Sequence, residues 1–222
     1  RHNLGVLLSR LGQYEEAAEQ YEHDLRFRRA AVEPYGLILV LLNYGLLHKH
    51  QKAYAQALSY HEEALALSQA NQFQTLEGLA WARLGQDYEG LQQLAEARNA
   101  YKKALAIHNQ LEQHYWAVEV EAGLARIALA EEQPTEAMER VETILTYLAA
   151  ASLDGAREYF LVHWSCYQVL KVMGDGRAAS FLARTYEELQ ARAHKISEVE
   201  LRYSYLENVS FHRAIVAEAT RQ

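Results

Sequence analysis

The sequence predicts an all-α protein, a right-handed α-solenoid of about five helix hairpins with a 40-residue period and a C-terminal capping segment. Three observations lead there. Ala17, Ala57, Ala97 and Ala137 stand 40 residues apart, and twelve positions before them stand Gly5, Gly45, Gly85 and Ala125. The positions three before the alanines hold Tyr14, Tyr54, Leu94 and Pro134, those four after hold Tyr21, His61, Tyr101 and Val141, and those eight after hold Leu25, Leu65, Leu105 and Leu145. Residues 79–105 show the unit most clearly. Trp81, Leu84, Gly85 and Tyr88 make one helical stripe, and Leu94, Ala97, Tyr101, Ala104 and Leu105 make a second. Finally, two prolines and eleven glycines in 222 residues, half of them hydrophobic, suit long helices around a sizeable core.

Taken in order, residues 1–10 and 14–31 form the first pair. Arg1 falls inside a repeat, which predicts a fragment of a longer chain. Glu33-Pro34 breaks the pattern, with proline suited to a first helical turn. Residues 35–50 contain a stretch apolar on all sides, as expected of a helix covered by neighbours. Residues 54–69 partner it, and repeats 35–70, 73–110 and 114–150 follow, with turns at 89–93 and at Gln133-Pro134. Asp154 is an N-cap candidate after a break at 152–155. A degenerate pair spans 156–194 with Gly174-Asp175-Gly176 as its turn and an alanine slot at Ala178 or Ala179. Ser197 with Glu200 makes a capping-box pattern, and residues 197–222 form the end cap.

Trp81-x2-Leu84-Gly85-x2-Tyr88, then Ala97-x3-Tyr101-x2-Ala104, resembles the tetratricopeptide repeat, whose period is about 34 residues. The six extra residues imply helices longer by most of a turn each. The likeness is specific over residues 1–150 and degenerate beyond. The tail, HWSCYQVLKVMGDGRAASFLARTYEELQARA followed by RYSYLENVSFHRAIV, is similar to the C-terminal ends of large bacterial signalling proteins. That similarity implies a sensor or arm attached to an ATPase, cyclase or transcriptional-activator module.

The repeat resemblance implies a curved array whose first helices line a concave face. By position that face presents Asn3, Val6 and Arg10, then Leu39, Leu42, Asn43, Leu46 and His50. Leu79, Ala82, Arg83, Gln86 and Glu89 follow, and then Glu119, Ala122 and Arg126. Asn3, Asn43 and Arg83 share one slot on successive repeats, resembling part of a carboxylate clamp for a peptide terminus. The clamp's lysine slots hold His2 and Leu79.

Little else reads as chemistry. Gly174-Asp175-Gly176 lacks the Lys-Ser/Thr of a phosphate loop, and His61-Glu62-Glu63 lacks the second histidine of a zinc hydrolase. His48 and His50 are two apart on a helix and diverge. Cys166 is the single cysteine, which excludes an internal disulfide and suits a reducing, cytoplasmic compartment. A net charge of −7 argues against direct nucleic-acid binding, and no apolar run predicts a membrane span. The expectation is a non-catalytic scaffold without cofactor or metal, binding a protein or peptide on its concave face. Its rivals are a small-ligand-sensing arm of a larger regulator, in cis contact with another module, and self-association into a homo-oligomer.

Overall fold

The computed structural model describes residues 1–31, 33–151 and 158–221. Among these are twelve helices and no strand. They are α1 (His2–Arg10), α2 (Tyr14–Ala31), α3 (Pro34–His50), α4 (Tyr54–Ala70), α5 (Gln74–Gly90), α6 (Leu94–Gln110), α7 (His114–Ala130), α8 (Pro134–Ala150), α9 (Tyr159–Val172), α10 (Ala178–His194), α11 (Val199–Glu207) and α12 (Ser210–Ala219). None is long and apolar enough to cross a membrane.

The 40-residue period divides into two halves of 20. Helices α3 to α8 each run 17 residues, and the turns at the 50s, 70s, 90s, 110s and 130s share one geometry. Lys52, Gln72, Gln92, Glu112 and Glu132 all have positive φ, between 54° and 62°, as does Gly12 at 76°. After α5, Gln93 N–H reaches back to the Tyr88 carbonyl and Gln92 N–H to that of Glu89, at 2.9 and 3.1 Å. This Schellman arrangement satisfies two of the carbonyls a helix end leaves open. The next helix starts at once, so successive helices fold back antiparallel.

Packing explains the repeated columns. In the first three copies the glycine of the first helix is the floor on which the ring of its partner lies. A Cβ on Gly85 would come within 2.6 Å of the Tyr101 ring, and one on Gly5 within 2.9 Å of Tyr21. Gly45 meets His61 in the same way. Ala17, Ala57, Ala97 and Ala137 are fully buried where helices approach. The apolar α3 packs against α1, α2, α4 and α5, which buries Val40 to Leu47 without a break. Glu33 caps this helix through its carboxylate on the N–H groups of Tyr35 and Gly36, with Pro34 at its first position.

Beyond α8 the array changes character. α9 packs on α7 and α8, and α10 and α12 pack on α9. The chain then turns back, so that Asn208, between α11 and α12, donates to the Gly12 carbonyl at 3.1 Å. One core joins Val118 and Ile144 to Cys166, Phe181, Val209 and Ile215. The C-terminal segment therefore packs back onto the repeats, as far as the turn between α1 and α2.

Several expectations need correction here. The alanine slot of the degenerate pair is not Ala178 or Ala179. Counted from the start of α10 as in the earlier copies, it is Phe181, followed by buried Thr185 and Leu189. The register has moved by four residues rather than by one or two. Ser197 is not the cap of α11; that position is Glu198, and it makes no side-chain capping bond. Gly90, placed in the turn at 89–93, still belongs to α5, and α7 begins at His114. The break at 152–155, its cap Asp154 and the predicted start of the degenerate pair at 156 lie outside the described residues.

Candidate inner-face site

Helices α3, α5 and α7, with the residue before α9, bring a charged cluster together. Lys49 comes from the last turn of α3, Arg83 and Gln86 from the middle of α5, and Arg126 from α7. Glu158, the residue before α9, points into them. Its Oε1 accepts from Lys49 Nζ at 2.7 Å, and its Oε2 accepts from Arg83 Nη1 at 2.6 Å and Gln86 Nε2 at 2.5 Å. Glu158 is 2% exposed and Arg83 is 4% exposed. Burial pushes the Glu158 carboxyl upward, but the Lys49 ammonium and the Arg83 guanidinium outweigh it and hold it well below the carboxylate range. A charge removed from water persists only when paired and hydrogen-bonded in this way.

A second pair lies alongside. Arg126 grips Glu89 with two parallel bonds, Nε to Oε1 at 2.6 Å and Nη2 to Oε2 at 2.8 Å, and its Nη1 donates to Ser165 Oγ at 2.9 Å. Tyr101 O–H donates to the same carboxylate at 2.8 Å. Such forked geometry makes arginine the stronger carboxylate binder. Burial raises the Glu89 carboxyl, and Arg126 more than reverses it.

The inner-face residues anticipated from repeat position fall into three groups. Arg83, Gln86, Glu89 and Arg126 meet in the cluster just described. Asn43, 3% exposed, and Leu42 and Leu46 are buried, and Asn43 Nδ2 lies 3.0 Å from His2 Nε2. Leu39, His50 and Ala82 are half-buried and Ala122 is buried, while Asn3 is exposed at the first helix. In the slot shared by Asn3, Asn43 and Arg83, the first is exposed and the other two are buried. Sequence reasoning missed Lys49 and Glu158. Lys49, six residues beyond Asn43, brings an ammonium to the Glu158 carboxylate. Glu158 carries no local signal at all, being 75 residues from Arg83.

A histidine–carboxylate pair does exist. His61 Nδ1 is 2.5 Å from Asp87 Oδ2 and its Nε2 is 3.2 Å from the Leu42 carbonyl, with both side chains fully buried. No substrate reaches it, and both ring nitrogens are already engaged. Cys166 is fully buried, and burial pushes its thiol up to about 12, so it is inert. Among the described residues no group of three His, Cys, Asp or Glu side chains is placed to hold a metal.

Comparison with known proteins agrees with the repeated hairpin. Two profiles described as tetratricopeptide repeat match, one over residues 1–70 and one over residues 79–110. Residues 1–70 and 79–110 carry tetratricopeptide repeats. Its structure superposes on a crystal structure of a Podosopora anserina kinesin light chain protein with nearly identical TPR-like repeats at a TM-score of 0.59. The match covers 100% of this chain and 95% of that one at 15% identity. A single-substitution variant of that protein gives a TM-score of 0.61 over 87% and 94% of the two chains at 16% identity. These likenesses show the solenoid fold. Among curated sequences, the Tonsoku-like protein of Bos taurus is 26% identical over 113 residues, 48% of this chain. The match spans only 8% of that relative's length. The tetratricopeptide scaffold is one that typically binds proteins.

Proposed function

We propose that this tetratricopeptide array is a non-catalytic protein-interaction arm whose inner face receives a carboxylate-bearing segment. Glu158 fills that place in cis. One observation carries the reading: an ammonium, a guanidinium and a side-chain amide from two different helices converge on a single buried carboxylate. Nothing in the local folding of α3 and α5 requires them to meet there. An acidic side chain or chain terminus of a partner presents the same group to the same three donors. Because Glu158 is tethered, it competes at an effective concentration of roughly millimolar or more, and partner binding is weak until it is displaced. In a longer regulatory chain, an acidic segment of a neighbouring module is such a competitor. The buried, inert Cys166 suits a reducing, cytoplasmic setting.

The test is a titration of a labelled peptide ending in two acidic residues, with its amidated Asn-Gln counterpart as control. Glu158→Ala vacates the place without touching the donors. It is expected to bind the acidic peptide at least tenfold more tightly than the parent and to ignore the amide control. Adding Arg83→Ala should abolish the gain. A folded Glu158→Ala protein that treats both peptides alike would sink the proposal.

A further inference from the structure

The turn before α2 and the turn before α12 meet, although they are almost the whole chain apart. Asn208 Nδ2 donates to the Gly12 carbonyl at 3.1 Å and to Ser204 Oγ at 2.9 Å, and Tyr14 O–H reaches the Asn208 carbonyl at 3.5 Å. Gly12 has φ at 76°, but that conformation does not by itself call for glycine. Lys52, Gln72, Gln92, Glu112 and Glu132 hold the same place in the 20-residue half-period, with φ between 54° and 62°, and carry long side chains. What sets residue 12 apart is its neighbour. A Cβ there would lie 2.8 Å from Asn208 Cβ and 2.8 Å from the Ser204 carbonyl oxygen. The missing side chain of one segment is the seat of the other.

This seat is connected to the charged cluster. The His50 ring stacks on Tyr14, with centroids 5.7 Å and planes 6° apart, and faces Phe211 of α12 across 6.4 Å. Lys49, next to it in sequence, donates to Glu158. A cavity of about 440 Å³ opens beside the cluster. Lys49, Gln86 and Arg126 line it from the repeats, and Trp164, Phe211 and Ala214 line it from α9 and α12. Lys49 and Gln86 are two of the three Glu158 donors. Asn208 stands two residues before the first residue of α12. Its seat on Gly12 therefore fixes the start of the helix that forms the facing wall.

We propose that Gly12 and Asn208 form a latch that holds α12 against the first repeat and restricts the approach of an acidic segment to the donors of Glu158. The latch is independent of the function proposed above; its role as a gate rests on that reading. A segment that binds only the unlatched form has its affinity reduced by the fraction of molecules unlatched. Weakening the latch then strengthens binding without any new contact.

Electron-spin distance measurement on the whole chain reads the latch directly. Labels are placed at Glu19→Cys and Arg213→Cys, both exposed, and the fully buried Cys166 takes none. Gly12→Ala pushes a methyl group into the seat, and Asn208→Ala removes its donor. Gly174→Ala is the control for backbone strain, since φ there is 64° and an added Cβ meets nothing within 4 Å. Gly12→Ala and Asn208→Ala are expected to spread the distances to longer values, and Gly174→Ala to leave them as in the parent. Asn208→Ala should also bind the acidic peptide at least threefold more tightly than the parent. Unchanged distances in both latch variants would overturn the inference. So would longer distances with no gain in peptide affinity while Glu158→Ala shows its own gain, because the donors are then reached without passing the latch. No gain in Glu158→Ala either would count against the proposed function, and the distances alone would then decide the latch. Asn208→Ala introduces no new atom, so the test holds even if Gly12→Ala does not fold.

Discussion

Glu158 gives up its water on folding and receives three donors in return, from Lys49, Arg83 and Gln86. The balance of such a cluster shows when one member is neutralised. Glu158→Gln keeps the shape but leaves Arg83 and Lys49 facing each other across an amide. Breaking a buried pair from one side costs about 3 kcal/mol or more. Urea unfolding of Glu158→Gln should therefore show a loss of that size, whereas Arg26→Gln, in an exposed pair with Glu22, should change stability by less than about 0.5 kcal/mol. Equal small losses would mean that the cluster is not the anchor of α9. This level of detail was only half legible beforehand. The positions of Arg83, Gln86, Glu89 and Arg126 follow from the repeat register, because position in a repeat dictates which face a residue takes. Glu158 does not, since the contact depends on how a degenerate segment folds back.

At the scale of the element, the feature that sets the array is the turn rather than the helix. Five turns place a lysine, glutamine or glutamate at positive φ, a conformation that costs an L-residue roughly 1 kcal/mol and costs glycine little. Gln92 is exposed, and its side-chain bond at 3.2 Å runs only to the Glu89 carbonyl in the same turn. Gln92→Gly is expected to raise stability by about 0.5–1 kcal/mol. Leu91→Gly, one residue earlier with φ at −83°, should lower it. A shift of the urea midpoint in the same direction for both would contradict the account. These turns explain why the 40-residue period was easier to read than its 20-residue half. Alanine, glycine and tyrosine mark the packing columns in the sequence, but lysine, glutamine and glutamate at the αL positions look like ordinary surface residues. The same reliance on residue identity misplaced the slot of α10, where bulky Phe181 stands in the alanine position.

For the whole molecule, the question is what holds the C-terminal helices against the repeats, and how acid acts on that contact. Facing one another across it are His50, Lys49, Arg83 and Arg10 from the repeats, and Glu158, Arg192, Glu188 and His212 from the C-terminal segment. His50 and His212 have folded values of about 3 and 4 against an ordinary 6.5, so the unfolded chain takes up protons first. Stability from these groups is complete above about pH 6.5 and falls as pH drops toward the folded values. For His212 alone the displacement corresponds to roughly 3 kcal/mol. Glu158 and Glu89 are also depressed. Their contribution is present above about pH 4.5 and is lost only as pH falls further, through the folded values. His48, His108 and His163 shift in the same direction but less far. Acid should therefore loosen the C-terminal segment before the repeats. Amide exchange corrected for its intrinsic pH dependence should show α11 and α12 losing protection between pH 7.5 and 5, while α5 and α6 retain theirs. His212→Phe, which cannot take up the proton, should flatten the loss in α12. Simultaneous loss in all four helices would instead mean that repeats and C-terminal segment open as one cooperative unit.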